Sequence, residues 1–136
     1  GGVFMKQNFI CPRCKGYLNV ADHIILTAED KSGNSGLILF SPELGNYTTK
    51  KNPNFKTKEG EKHEFFCPLC QEKLAADTHD NLSYIVMIDE ENVEYQILFS
   101  KIVGEHSTYK IVGESTEIYG HHHSNYIDFV NLSHTK

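Results

Sequence analysis

Short runs of valine, isoleucine, tyrosine and phenylalanine alternate along this chain with clusters of glycine, asparagine, aspartate and serine. The run at residues 93–99 places Val93, Tyr95, Ile97 and Phe99 at every second position, with polar residues between most of them. Because the side chains of a strand point alternately to its two faces, this pattern predicts a half-buried strand. Similar runs predict strands at residues 23–28, 36–41, 61–66, 83–89, 93–100, 107–112 and 115–119.

Segments rich in turn-forming residues separate these strands and predict that successive strands form antiparallel hairpins. The segments DKSGNSG and DEEN lie between successive apolar runs, and their residue types favour tight turns. Helix signals are few. Ser41 to Gly45 predicts one capped turn, with serine as the N-cap and glycine as the stop, and residues 124–132 predict a second short turn. The predicted fold class is mostly β, built from antiparallel hairpins and a meander with little helix.

The four cysteines of the chain form two pairs with the spacing Cys-x-x-Cys. Cys11 pairs with Cys14 in CPRCKG, and Cys67 pairs with Cys70 in CPLC. A tight turn at this spacing brings two sulfurs to one ion, and the proline after the first cysteine stiffens the turn. We expect Gly16 to adopt a left-handed backbone conformation where the chain folds back. Together the pairs can supply four thiolates to one metal ion.

With their flanking residues, the two pairs resemble the knuckles of the zinc-ribbon class. The resemblance implies one structural Zn²⁺ per chain in a closed site of four cysteines. One departure is the 52 residues between Cys14 and Cys67, against roughly 15 to 20 in the compact pattern. Iron bound by four thiolates, as in rubredoxins, and a redox or disulfide role for the cysteines are the alternatives that the spacing leaves open.

An internal repeat accounts for the long insert between the knuckles. After each knuckle come two apolar runs around a turn, and both copies end in Ile-Leu-Phe-Ser, at residues 38–41 and 97–100. The two strings are separated by nearly the same length of chain as the two knuckles. We interpret residues 1–4 as a cloning remnant or disordered start, residues 5–66 as a first half-repeat and residues 67–136 as a second. The two similar halves are predicted to form one structural unit around a shared metal.

The chain is acidic, since 13 lysines and arginines stand against 18 aspartates and glutamates, for a formal net charge of −5. Four thiolates and one dication would change this charge to −7 (−5 − 4 + 2), which repels nucleic acid on average. One lysine-rich segment with aromatic residues is the local exception, because such a segment can contact phosphates and bases. Its candidate residues for nucleic-acid or partner contact are Tyr47, Lys50, Lys51, Phe55, Lys56 and Lys58.

Motifs of catalysis do not occur in the sequence, which has no phosphate-binding loop, nucleophile elbow or His-Glu-x-x-His pattern. The histidine run at His121, His122 and His123 is interpreted as a solvated turn in preference to a second metal site. No apolar run reaches the roughly 20 residues of a membrane helix, so no membrane association is expected.

These features predict a cytoplasmic module that is not an enzyme, in which one structural zinc supports binding or scaffolding with another protein as the partner. A nucleic-acid-binding zinc ribbon is the first alternative. A rubredoxin-like iron electron carrier is the second. A homodimer that pairs through an exposed sheet edge also stays open.

Overall fold

The structure is a computed structural model that describes residues 7–122, 124 and 126. Antiparallel strands dominate this part of the chain, which contains no α-helix, so the prediction of a mostly β fold is confirmed. It also contains no helix long and apolar enough to span a membrane. The start assigned to residues 1–4 and most of the turn predicted at residues 124–132 lie outside the described residues. The strands are β1 (Asn8–Ile10), β2 (Asn19–Val20), β3 (His23–Glu29), β4 (Ser35–Phe40), β5 (Thr49–Lys51), β6 (Glu64–Phe66), β7 (Leu82–Ile88), β8 (Glu94–Ser100), β9 (Thr108–Val112) and β10 (Ser115–Tyr119).

Every predicted strand overlaps an observed one, although the bounds differ. The largest difference is at residues 61–66, where the strand is only β6 and Lys62 makes an isolated bridge to Ile102. The strands that the sequence pattern missed are β1, β2 and β5, each of two or three residues. Runs that short show too little alternation for a strand to be recognised.

The strands form two antiparallel sheets. One has the order β1-β7-β8-β9-β10 and is called the β7 sheet below. The other has the order β2-β3-β4-β5, with β6 also paired to β3, and is called the β3 sheet. The long strands β3 and β7 each continue through a tight turn into the next strand, as the DKSGNSG and DEEN segments predict.

Each sheet contains one short strand that precedes a knuckle and comes from a distant part of the chain. β1 leads into the first knuckle and pairs with β7, whereas β6 leads into the second knuckle and pairs with β3. Beyond the knuckles, the amides of Leu18 and Leu74 donate hydrogen bonds to the carbonyls of Phe9 and Phe65 at 2.7 and 2.8 Å. Each knuckle is therefore held at both ends where the two sheets meet.

Equivalent strands of the two sheets pair in the same register, and their residue numbers differ by a constant offset. Ile38 pairs with Lys51 between β4 and β5, and Ile97 pairs with Lys110 between β8 and β9, so both partners are shifted by the same number of positions. The pairings of β6 with β3 and of β1 with β7 are related in the same manner, with a slightly smaller offset for the short strands. The two Ile-Leu-Phe-Ser strings consequently begin at equivalent positions of β4 and β8.

An aspartate stabilises the hairpin turn that follows each long strand. Asp30 Oδ1 accepts hydrogen bonds from two amides of its turn, both at 2.9 Å, and Asp89 Oδ1 accepts the equivalent pair at 2.9 and 3.0 Å. The amide of Val93 is the main cause of a lowered pKa at Asp89. Desolvation acts in the opposite direction at Asp30, but its hydrogen bonds, chiefly from Asn34, outweigh it and lower the pKa there too.

The inner faces of both sheets contribute to one main hydrophobic core, which also includes Cys11 and Cys67. A smaller cluster forms around Leu98, with Leu82, Tyr109 and Tyr126. The predicted alternation in β8 holds for its first residues but not at Leu98, which is 3% exposed although its neighbours in the strand belong to the main core. β8 is buried on two faces at this point because the smaller cluster covers the second one.

The capped turn predicted from Ser41 to Gly45 is present as a turn and not as a helix. Ser41 Oγ accepts a hydrogen bond from the amide of Glu43 at 3.1 Å, and Gly45 has a φ of +92°. Only glycine adopts that backbone conformation without strain, so its role as the stop is explained. The turn begins the loop between β4 and β5.

Candidate metal centre

The four cysteines lie together where the two sheets meet. Cys11 directly follows β1, and Cys67 directly follows β6. The four Sγ atoms all lie within 4.8 Å of one another, and none of the cysteines forms a disulfide. The structure therefore brings together the four residues that the sequence indicates as metal ligands, although the two pairs are far apart in the chain.

The distances between sulfurs fit a tetrahedral ion. Cys11 Sγ is 3.8 Å from Cys70 Sγ, and Cys14 Sγ is 3.8 Å from Cys67 Sγ. Metal–sulfur bonds of about 2.3 Å require sulfurs about 3.8 Å apart, because the edge of a tetrahedron is about 1.63 times the distance from its centre to a corner. Both of the observed distances join sulfurs of different knuckles, so a complete site requires both knuckles.

Each knuckle directs two backbone amides at its first sulfur. Cys11 Sγ accepts hydrogen bonds from the amides two and three residues later at 3.2 and 3.4 Å. Cys67 Sγ accepts the equivalent pair at 3.3 and 3.4 Å. Amide dipoles aimed at a sulfur favour the thiolate over the neutral thiol, and the thiolate is the form that binds a metal.

The left-handed residue of each knuckle is not the glycine that the sequence suggested. Lys15 and Gln71, each directly after the second cysteine, have a φ of 65°, and their amides donate to the carbonyl of the first cysteine at 2.9 and 2.8 Å. The prediction of a left-handed Gly16 is wrong. Gly16 instead leaves room for the other knuckle, since a Cβ at this position would lie 2.5 Å from Cδ1 of Leu69.

The pKa values of Cys11 and Cys67 are shifted in opposite directions. Burial raises the pKa of Cys11 to about 12. Burial also opposes ionisation at Cys67, but its amide hydrogen bonds and the neighbouring thiols outweigh that effect and lower its pKa. Sulfurs this close cannot all be charged in the absence of a cation, so the first thiolate suppresses ionisation of the others. A bound metal cation removes that restriction, and protons are released as it binds.

The cluster reaches from the core to the surface. Cys11 and Cys67 are fully buried and belong to the main core, Cys70 is partly buried, and Cys14 is exposed. The donor set consists of four sulfurs, which suits a soft or borderline metal ion such as zinc or iron. The arrangement can hold such an ion and, through it, fix two distant segments of the chain to each other.

The lysine-rich segment has exposed lysines that a partner could contact, but its aromatic rings, those of Tyr47 and Phe55, pack against other residues of the protein. Phe55 is 7% exposed in the main core, and the ring of Tyr47 stacks on that of His106 with centroids 4.3 Å apart. Lys51 Nζ donates a hydrogen bond to the carbonyl of Phe55 at 2.7 Å. Contact with nucleic acid or another partner stays a prediction. The exposed lysines of this segment are Lys50, Lys56 and Lys58, and the exposed Glu59 follows them directly.

His121 and His122 are exposed in a turn, and His122 is held to another part of the chain by hydrogen bonds. His122 Nδ1 accepts a hydrogen bond from the amide of His106 at 2.9 Å, and the amide of His122 donates to the carbonyl of His106 at 2.9 Å. His123 lies outside the described residues. Among the residues that the structure describes, the cysteine cluster is the one group of side chains arranged to hold a metal ion.

Sequence reasoning missed a cavity of about 210 Å³ that lies between the sheets. Its walls include the isoleucine and phenylalanine of both Ile-Leu-Phe-Ser strings, at residues 38–41 and 97–100. The repeated strings were the one sequence feature that pointed to these residues, but they predicted equivalent strands and not a cavity between them.

Comparisons with protein-family models, with curated proteins and with solved structures find no match to this chain. Its function is therefore argued from the geometry and chemistry of its sites.

Proposed function

We propose that this protein is a non-catalytic binding or scaffolding module whose fold depends on one structural zinc ion bound by Cys11, Cys14, Cys67 and Cys70. The observation that carries the proposal is the cluster of four sulfurs with tetrahedral separations. Zinc in structural sites is bound by four sulfur or nitrogen ligands in this geometry. Four thiolates complete the coordination shell, so no position is left for water or a substrate.

The position of the ion explains why the fold would depend on it. β1 and β6 belong to different sheets, and each leads directly into one knuckle. An ion bound by both knuckles therefore links the two sheets. Structural zinc contributes on the order of 10 kcal/mol of apparent binding free energy at neutral pH. That is comparable with the whole free energy of unfolding of an ordinary domain, about 5–15 kcal/mol.

A rubredoxin-like iron centre is the alternative that the same donor set supports, because iron binds four thiolates in nearly the same geometry. We prefer zinc because the knuckles resemble those of zinc ribbons. The absorption spectrum separates the two ions, since an iron–thiolate centre is red and a zinc–thiolate centre is colourless.

A protein partner is proposed at the surface of the knuckles, in the cytoplasm, where thiols stay reduced. Tyr17 and Leu69 are 64% and 62% exposed, and Leu69 lies against Gly16 of the other knuckle. Exposed apolar side chains of this size can contribute to a contact surface with another protein. Nucleic-acid binding has less support, because the net charge is −5 and the rings of the lysine-rich segment are engaged in packing.

We also propose that the two halves arose by duplication and form one folding unit. The support is the recurrence of strand register, turn aspartates and knuckle hydrogen bonds at nearly constant offsets along the sequence. When β6 is grouped with the knuckle that follows it, each half contributes one short strand to the sheet of the other half, since β1 pairs with β7 and β6 pairs with β3. An ancestral homodimer with one shared ion would leave this arrangement after fusion.

Zinc removal tests the proposal. Chelation of the purified protein, or the substitution Cys67→Ser, should abolish the cooperative thermal transition, and zinc should restore it in the wild type alone. Leu69→Ala is the matched control, because it lies between the two cysteines of the same knuckle and is exposed. If the metal-free protein and Cys67→Ser melt like the zinc-loaded wild type, the ion is not structural.

A further inference from the structure

The cavity between the sheets is built by both halves of the chain. Its walls include Ile38 and Phe40 from β4 and Ile97 and Phe99 from β8, which are equivalent pairs in the two sheets. The volume of about 210 Å³ exceeds the ~150 Å³ of an apolar cavity that accepts benzene. The space is therefore large enough for an organic molecule somewhat larger than benzene.

Aromatic rings on the cavity wall leave apolar surface available. Phe40, Phe65 and Phe99 form a triangle with centroid distances of 5.6, 6.0 and 5.6 Å. Phe40 and Phe99 are only partly buried, although both pack against the main core. Ring edges and faces that border a cavity can contact a further aromatic or aliphatic group, which replaces the contacts that empty space cannot provide.

Three basic side chains of the cavity wall, Lys51, His63 and Lys101, already have hydrogen-bond partners. The carboxylates of the wall, Glu43 and Glu105, accept hydrogen bonds from Asn46 and Ser100. Lys101 Nζ lies 2.7 Å from Glu64 Oε1, and Lys101 is 3% exposed. His63 Nε2 lies 3.2 Å from Glu61 Oε1, and Lys51 Nζ donates to a backbone carbonyl. An ionised ligand would have to compete with these partners, and its own desolvation would not be compensated. The wall therefore favours an uncharged ligand.

Two equivalent loops border the cavity where its wall reaches the surface. Residues 41–47, after β4, and residues 101–107, after β8, both contribute to the wall. Glu43 and Asn46 of the first loop are exposed, so the wall extends to the surface. The stacking of Tyr47 on His106 joins the loops at this edge.

We propose that this inter-sheet cavity is a binding site for a small, uncharged, mainly apolar molecule of the size of a substituted benzene. The site is independent of the metal assignment, because it is defined by the Ile and Phe positions of β4 and β8 and not by the cysteines.

Toluene is a suitable probe, and isoleucine methyl NMR of the metal-loaded full chain is a direct readout. Titration should give saturable shifts of the methyl groups of Ile38, Ile85 and Ile97, which border the cavity, and none at Ile118, which is exposed on β10. Benzoate, which has the same ring with a charge, should bind at least about tenfold more weakly, since its carboxylate would lose hydration in the cavity. Toluene should also raise the melting temperature, because it binds the folded state.

Cavity-filling variants complete the test. Ile38→Phe should weaken toluene binding about tenfold or more by occupying its space, whereas Leu37→Phe, on the neighbouring position of β4 with 52% exposure, should leave binding unchanged. If Ile38→Phe does not fold, the wild-type titration still decides. No saturable shifts up to the solubility limit of toluene, shifts centred on Ile118, or tighter binding of benzoate would each overturn the proposal.

Discussion

Substitutions at Phe9 and Phe65 measure most directly whether the stability of each sheet depends on the other. Each ring lies in a short strand that precedes a knuckle and pairs with a long strand, β1 with β7 and β6 with β3. Phe9 is fully buried and Phe65 is 6% exposed, and both belong to the main core. Replacing either residue with alanine should therefore weaken both sheets and not only the strand that carries it.

The expected cost follows from burial and ring contacts. Truncating a buried phenylalanine to alanine costs about 3–5 kcal/mol, because transfer energy is lost and a cavity remains. Phe65 additionally loses ring contacts at 5.6 Å with Phe40 and Phe99, so Phe65→Ala belongs at the upper end of that range. In a domain of this size, about 3 kcal/mol corresponds to a fall in melting temperature of roughly 10 °C.

Urea unfolding of the metal-loaded protein, followed by far-UV circular dichroism and by tyrosine fluorescence, measures these costs. For each variant the two signals should give one transition, shifted by the same amount. Leu37→Ala, which truncates an exposed side chain of β4, should change the free energy of unfolding by less than about 0.5 kcal/mol. Separate transitions for the two signals, or a cost of only about 1 kcal/mol at Phe9 and Phe65, would refute a single shared core.

Three further expectations concern close packing, pH and charge. Gly36→Ala should cost about 1–3 kcal/mol in thermal or urea unfolding, because its Cβ would lie 2.6 Å from Cγ of buried Phe55, while Ser35→Ala should be nearly neutral. The lowered pKa values of Asp30 and Asp89 imply stability that is present above the unfolded value of about 3.9 and is lost as the pH falls through the lower folded value. Melting curves of Asp30→Asn and Asp89→Asn should therefore depend less on pH below about 4, and a wild-type-like dependence would contradict the role of the turns. Each single replacement of Lys50, Lys51, Lys56 or Lys58 by glutamine should flatten the slope of log affinity for DNA or RNA against log salt by about 0.7–0.9 for the lost phosphate contact. Replacing all four should abolish any weak binding, and binding that persists would place the contact on another surface.

The knuckles could be predicted from sequence because the spacing of Cys11 and Cys14 is a local property that a single tight turn satisfies. The backbone detail within the knuckle could not. A glycine at position 16 suggests a left-handed conformation, yet Lys15 adopts it, and the glycine is explained by Leu69 from a distant segment of the chain. Contacts between distant segments leave no periodic signal in either segment.

The long strands were predictable for the same local reason, since alternation along β8 reports its half-buried face. Leu98 broke the pattern because Tyr109 and other residues later in the chain cover the opposite face. The exchange of β1 and β6 between sheets also escaped prediction, because such short strands carry no register information of their own. Their partners are set by the fold as a whole.

The metal site is tested most directly by X-ray absorption at the metal edge of the purified protein, combined with elemental analysis. We expect one zinc ion per chain with four sulfur neighbours at about 2.3 Å and no lighter ligand in the first shell. That result would agree with sulfur atoms that lie within 4.8 Å of one another. An iron edge, two zinc ions per chain, or nitrogen or oxygen ligands in the first shell would contradict the proposal of a closed four-cysteine zinc site.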